Sequence, residues 1–207
     1  MNVDPTGTLV LALILGITAL VGLGLTIGGV ATDNNIMTAI GLTLVAIPAF
    51  ISGGMAIAAG ICGATYLEII GGATIIAGLG TSLFASAEYQ QAITGNNWML
   101  DAGMSEGWYN GLMLTFATLA TIGTISCGVL SVIGKMSSPQ QMMNSFQKNP
   151  NRWKLVKNLI EPSRGGNKGG VSTYFNYINK WTGSKLGIHQ IIRGGKFIHG
   201  PHFHPWK

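Results

Sequence analysis

All four histidines of this 207-residue chain fall between Leu186 and His204, together with Arg193 and Lys196 on either side of Gly194-Gly195. Apolar-rich runs flank the glycine pair, which predicts a β-hairpin closed by a two-residue type I′ loop. The simplest register pairs Arg193 with Lys196, Ile191 with Ile198 and His189 with Gly200, leaving His202 diagonal to His189. Strand alternation then sorts the side chains. Leu186, Ile188, Gln190, Ile192, Phe197, His199 and Phe203 form the face expected to be buried. His189, Ile191, Arg193, Lys196, Ile198, His202 and His204 form the other. Pro201 and Pro205 restrict the second run to an edge strand.

Imidazoles beside fixed cations suit phosphodiester cleavage without a metal. One of His189 and His202 takes the 2′-hydroxyl proton and the other protonates the leaving oxygen, because histidine titrates near working pH. His204 is a further candidate. Lys196 or Arg193 stabilises the charge that grows on the phosphorane-like transition state. Only RNA carries the internal 2′-hydroxyl that this scheme requires, so RNA is favoured over DNA. His199 is expected to be structural. A rival chemistry uses His189, His202 and His204 as a three-histidine zinc site. A carboxylate-rich nuclease is harder to support, since Glu161 is the only acid after Lys135.

The segment that must position this hairpin begins at Ser138. Ser138-Pro139 and Asn149-Pro150 both read as helix starts, with Pro at the first helical position. The second helix is expected to end before Pro162, with Trp153, Val156, Leu159 and Ile160 on its apolar stripe. Arg152, Lys154 and Lys157 stand off that stripe, as a solvated face or as a binding surface. Ser163 to Gly170 is a glycine-rich loop without the order of a phosphate-binding loop. Val171, Tyr174, Phe175, Ile178 and Trp181 recur at helical spacing and predict a further helix ending at Gly183.

Charge divides the chain sharply. Residues 1–134 contain six acids and no Lys or Arg, whereas residues 135–207 hold all twelve basic residues and one acid. The two parts carry −6 and +11, consistent with the net +5. That asymmetry points to two functions and to a polyanionic partner for the second part. Cys62 and Cys127 lie in apolar runs and read as buried thiols.

Asp4 and Asp33 bracket 28 uncharged residues, and Asp33 and Glu68 bracket 34. Either run exceeds the roughly 20 apolar residues needed to cross a bilayer. Pro48 is expected to kink the second stretch. A third, ending near Ala87, is expected to be broken or re-entrant because it contains Glu68 and Gly71-Gly72. A fourth runs from Gly111 to Gly134. Three or four spans follow. Trp98, Trp108 and Tyr109 would form a headgroup belt, and the basic tail would face the cytoplasm in a resident protein. Gly24 and Gly28 supply a GxxxG contact between helices. A soluble helix should carry charges opposite its apolar stripe, and these segments carry almost none.

Asp4-Pro5-Thr6-Gly7 resembles the DPxG motif that closes the core of Rhs/YD-repeat polymorphic toxins. The order that follows it, a hydrophobic region and then a short basic domain, is similar to toxins of this type. The resemblance covers only the first seven residues, and no YD repeats are present. It implies the C-terminal module of such a toxin, with residues 1–7 ending the core, 8–137 serving membrane insertion or translocation, and 138–207 forming the toxin domain. It further implies contact-dependent antibacterial action, surface display or secretion with delivery of the tail to a target cytoplasm, and a cognate immunity protein.

The fold expected is mostly α: a hydrophobic region of three to four transmembrane-like helices, then a small α+β basic domain with a C-terminal β-hairpin. The expected partners are membrane, nucleic acid and the immunity protein, with no cofactor in the metal-free scheme. The alternative is a non-enzymatic multi-span membrane protein or pore-forming toxin whose basic tail binds lipid or nucleic acid. A soluble helical protein is the third reading.

Overall fold

A computed structural model describes residues 7–61, 65–136, 139–163 and 169–204. The DPxG residues before Gly7, and Cys62, lie outside the described residues. The chain divides into two compact units, the first mainly helical and the second built mainly from the segment after Ile133.

The first unit contains α1 (Thr8–Ala31), α2 (Asn35–Ile61), α3 (Thr65–Thr94), the short α4 (Trp98–Asp101) and α5 (Glu106–Met136). Helices α1, α2, α3 and α5 are long and apolar enough to cross a membrane. At a rise of 1.5 Å per residue, even the 24 residues of α1 reach about 36 Å. Leu13, Ile17, Ile69, Ile76, Leu83 and Ile122 are exposed along these helices, whereas Leu42, Val45, Phe84, Met113 and Ala117 form the core. Turn chemistry sets the connections. Asn34 Oδ1 accepts from the Met37 N–H at 3.0 Å to cap α2. Asn97 caps α4 by accepting from the Met99 and Leu100 N–H groups.

Glycine sets how closely the helices approach. A Cβ on Gly41 would lie 2.6 Å from the Gly22 carbonyl oxygen, and one on Gly22 would lie 2.6 Å from that of Gly41. The expected GxxxG pair is not the contact. Gly24 faces open space and Gly28 meets only the Met37 side chain. The third stretch is also unbroken, for α3 runs continuously over 30 residues. Gly71 is there for proximity, because its Cβ would meet the Gly53 carbonyl oxygen at 2.7 Å. Pro48 is accommodated inside α2.

Hydroxyls inside the bundle are satisfied locally. Thr26, Thr81, Thr121 and Thr124 are buried, and each donates from Oγ1 to the carbonyl four residues earlier at 2.8–2.9 Å. A different polar contact joins two helices. Tyr109 donates its phenolic hydroxyl to Glu88 Oε1 at 2.7 Å, with both residues buried. Tyr109 therefore belongs to the core, where its ring meets Phe84 edge to face, and not to an aromatic belt. Trp98 and Trp108 remain exposed. Tyr109→Phe is expected to destabilise this unit by about 1–3 kcal/mol, because Glu88 loses a buried donor. Tyr89→Phe should change little, since its hydroxyl makes only an exposed 3.4 Å contact with Thr43. Thermal unfolding in detergent micelles compares the two.

The second unit contains α6 (Pro139–Lys148), a 3-10 turn at Pro150–Arg152, and strands β1 (Trp153–Pro162), β2 (Val171–Asn179), β3 (Lys185–Arg193) and β4 (Lys196–His204). The strands form one antiparallel sheet in the order β1-β2-β3-β4. This corrects two expected helices, since residues 153–162 and 171–179 are strands. Asn149-Pro150 opens only the short turn. The helix at Pro139 does form, and its Met142, Met143 and Phe146, together with Phe175 and Tyr177, pack against Trp153, Leu186 and Ile188. Phe146 lies 6.1 Å from Trp153 and 4.7 Å from Tyr177, ring to ring.

Candidate active site

The opposite face of this sheet carries the candidate chemistry. Direct antiparallel partners share a face, so register defines two rows across it. One row runs Leu159, Tyr174, His189 and His202; the other runs Glu161, Ser172, Ile191 and His199. Between them opens a cleft of about 470 Å³. Glu161, Pro162 and Ser163 line it at the end of β1, Ser172 and Tyr174 on β2, and His189 and Ile191 on β3.

Local contacts hold these groups in place. The Ser163 N–H donates to the Gly170 carbonyl at 2.9 Å, which closes the β1–β2 connection. Ser163 Oγ and Ser172 Oγ are buried and 2.7 Å apart, so one donates to the other and, among the described residues, one hydroxyl proton remains for a ligand oxygen. The His189 ring is buried and stacks on Tyr174, with centroids 4.2 Å apart and planes 10° from parallel. That stacking limits the imidazole's rotation and fixes its plane. Glu161 lies two strands away and one alternate position along. Strand geometry puts about 12 Å between its backbone and that of His189. Both side chains can thus reach one ligand held in the cleft.

The expected hairpin forms, with φ of 56° at Gly194 and 78° at Gly195, as a type I′ loop requires. Arg193 pairs with Lys196 as expected, but the register departs from there. Irregularities between Ile191 and Ile192, and between His189 and Ile191, leave β4 two residues longer than the matching part of β3. Ile191 therefore stands opposite His199 instead of Ile198, and His189 opposite His202 instead of Gly200. His204 stands opposite Gly187. Pro201 has no N–H for the ladder, which favours a bulge there. The expected burial is also incomplete, because His189 and Ile191 are covered as well as Leu186 and Ile188.

The site residues expected from the sequence do not all meet. His189 lines the cleft. Arg193 and Lys196 are exposed at the hairpin end. Arg193 is four residues along β3 from His189, a backbone separation of about 13 Å. The side chains of His199, His202 and His204 lie outside the described residues, and so does the three-histidine zinc set. Among the described residues, no three His, Cys, Asp or Glu side chains come together to hold a metal. Glu161, Ser163, Ser172 and Tyr174 were not expected at the site. The signal that could have found Glu161 is its standing as the single acid in a strongly basic segment.

Comparison with protein-family models, curated proteins and solved structures finds no match to this chain.

Proposed function

We propose that the chain is the C-terminal module of an Rhs-type polymorphic toxin, in which the long apolar helices enter a membrane and the basic sheet domain cleaves RNA without a metal. The observation that carries the catalytic reading is the cleft shared by His189 and Glu161, in a segment whose charge is +11. His189 is one of two proton-transfer groups. His202 stands opposite it on the neighbouring strand β4 and Glu161 lies two strands away on β1; Glu161 is favoured as the second because its side chain lines the same cleft. In the reaction, the carboxylate removes the 2′-hydroxyl proton and O2′ attacks phosphorus. The bond to the 5′-oxygen breaks, and the imidazolium protonates that oxygen. The products are a 2′,3′-cyclic phosphate and a 5′-hydroxyl. The hydroxyl left over from the Ser163–Ser172 pair donates to the charged phosphoryl oxygens. Net positive charge draws the polyanion in, so cleavage should weaken as salt rises.

The experiment is expression of the full chain in bacteria followed by inspection of total RNA and DNA. Degraded RNA with cyclic phosphate ends, and intact DNA, is the expected result. Growth arrest should be relieved by a cognate immunity protein. A second reading, a pore-former with a basic lipid-binding tail, is favoured by the exposed apolar side chains of α1, α3 and α5. It predicts equal toxicity from the His189→Ala chain. In both readings the protein should stay in the membrane pellet after carbonate extraction. Release into the supernatant would sink the membrane assignment.

A further inference from the structure

We infer that the free edge of β1 is a docking site for an extended protein segment that alternates apolar and acidic residues and adds to the sheet as a fifth strand. This inference does not rest on the nuclease reading. β1 is ten residues long and lies at the end of the strand order, so one side of its backbone pairs with β2 and, among the described residues, no strand pairs with the other. A row of unpaired edge N–H and C=O groups is a template for another strand. The side chains specify what kind. Lys154 and Lys157 are exposed and stand opposite Ile178 and Asn176, on the cleft face. Leu155 and Ile160 are exposed and stand opposite Tyr177 and Thr173, on the face that packs against α6. From Lys154 to Lys157 the edge is thus cationic on one face and apolar on the other, while further along Leu159 and Glu161 continue the first face and Asn158 and Ile160 the second. A strand with acids on the first face and apolar residues on the second matches both, because strand side chains alternate.

Other occupants fit less well. Two β1 edges paired antiparallel about the Leu155–Val156 bond would set Lys154 opposite Lys157 twice, a repulsive arrangement. RNA phosphates could meet the lysines, but they offer acceptors only and would leave the edge carbonyls unmatched. A fifth strand would lie beside Glu161 at the cleft rim, so the same docking can close off the cleft.

The test uses the full chain in detergent micelles and a fluorescent ten-residue peptide alternating valine with glutamate. A peptide alternating valine with lysine is the control. The acidic peptide should bind saturably and slow hydrogen exchange at β1 amides while leaving β4 unchanged. K154E/K157E should weaken that binding by about tenfold or more and favour the lysine peptide instead. Both substitutions sit at exposed positions, and unchanged circular dichroism confirms the fold. Equal binding of the two peptides, protection elsewhere than β1, a dimer formed through β1, or protection of β1 by a short RNA alone would each overturn the inference.

Discussion

His189→Ala in the full-length protein is expected to slow RNA cleavage by about 10²–10⁴-fold, the usual effect of removing a general acid or base. Glu161→Gln should produce a comparable loss, although it preserves the shape of the side chain. His202→Ala should cost less if Glu161 is the second proton-transfer group. The reverse order, with His202→Ala severe and Glu161→Gln mild, would move that role to β4. Lys196→Ala and Arg193→Ala should chiefly raise the RNA concentration needed for half-maximal rate, because both side chains sit at the exposed hairpin end. His189 is buried against Tyr174, so its loss also removes a packing contact. Circular dichroism of each variant separates unfolding from lost chemistry. A His189→Ala protein that is folded and fully active would falsify the site.

Gly41→Leu is expected to disrupt the packing of α1 on α2, at a cost near the upper end of overpacking, about 3 kcal/mol. The reason is that the obstacle is backbone. The new Cβ would meet the Gly22 carbonyl and the Thr26 amide nitrogen, neither of which can rotate away as a side chain can. Gly24→Leu is the matched control on α1, since nothing lies within 4 Å of its position. That change should be neutral or slightly stabilising through helix propensity alone. Thermal unfolding and hydrogen exchange in micelles should separate the pair clearly. Similar behaviour of both variants would mean that the close approach at Gly41 does not determine the association of these helices.

The helical unit was legible in the sequence because uncharged runs of this length have few other stable forms. The contacts within it were not. Gly24-x-x-x-Gly28 matches a motif, yet a backbone-to-backbone close approach of α1 and α2 uses Gly22 and Gly41, which only the rotation of two helices brings together. The hairpin was legible from Gly194-Gly195, but its register was not, because bulges in a run containing Gly200-Pro201 leave no regular period to read. β1 was mistaken for a helix for a related reason. Trp153, Val156, Leu159 and Ile160 are spaced by three or four in sequence, yet the register shift between Leu155 and Lys157 puts Trp153 and Ile160 on one face and Leu159 on the other. β2 is largely covered on both faces, which erases the alternation that marks a half-buried strand. Its Val, Thr, Tyr, Phe and Ile content was the better guide. With both strands read as helices, Glu161, Ser172 and Tyr174 could not be brought beside His189.

The threonines of the helical unit bear on the order in which it assembles. Each buried Thr26, Thr81, Thr121 and Thr124 hydroxyl is satisfied by its own helix. A helix entering hydrocarbon alone would therefore carry no unmet hydroxyl donor at these positions. Insertion can precede association, and neighbours can slide or exchange without breaking these bonds. The Tyr109–Glu88 bond is different, since it forms only when α3 and α5 meet. In a membrane it would act as a latch set after entry. A helix set whose buried threonines are each satisfied by their own helix, with the Tyr109–Glu88 bond made only on contact, is suited to reaching its final arrangement inside a lipid phase.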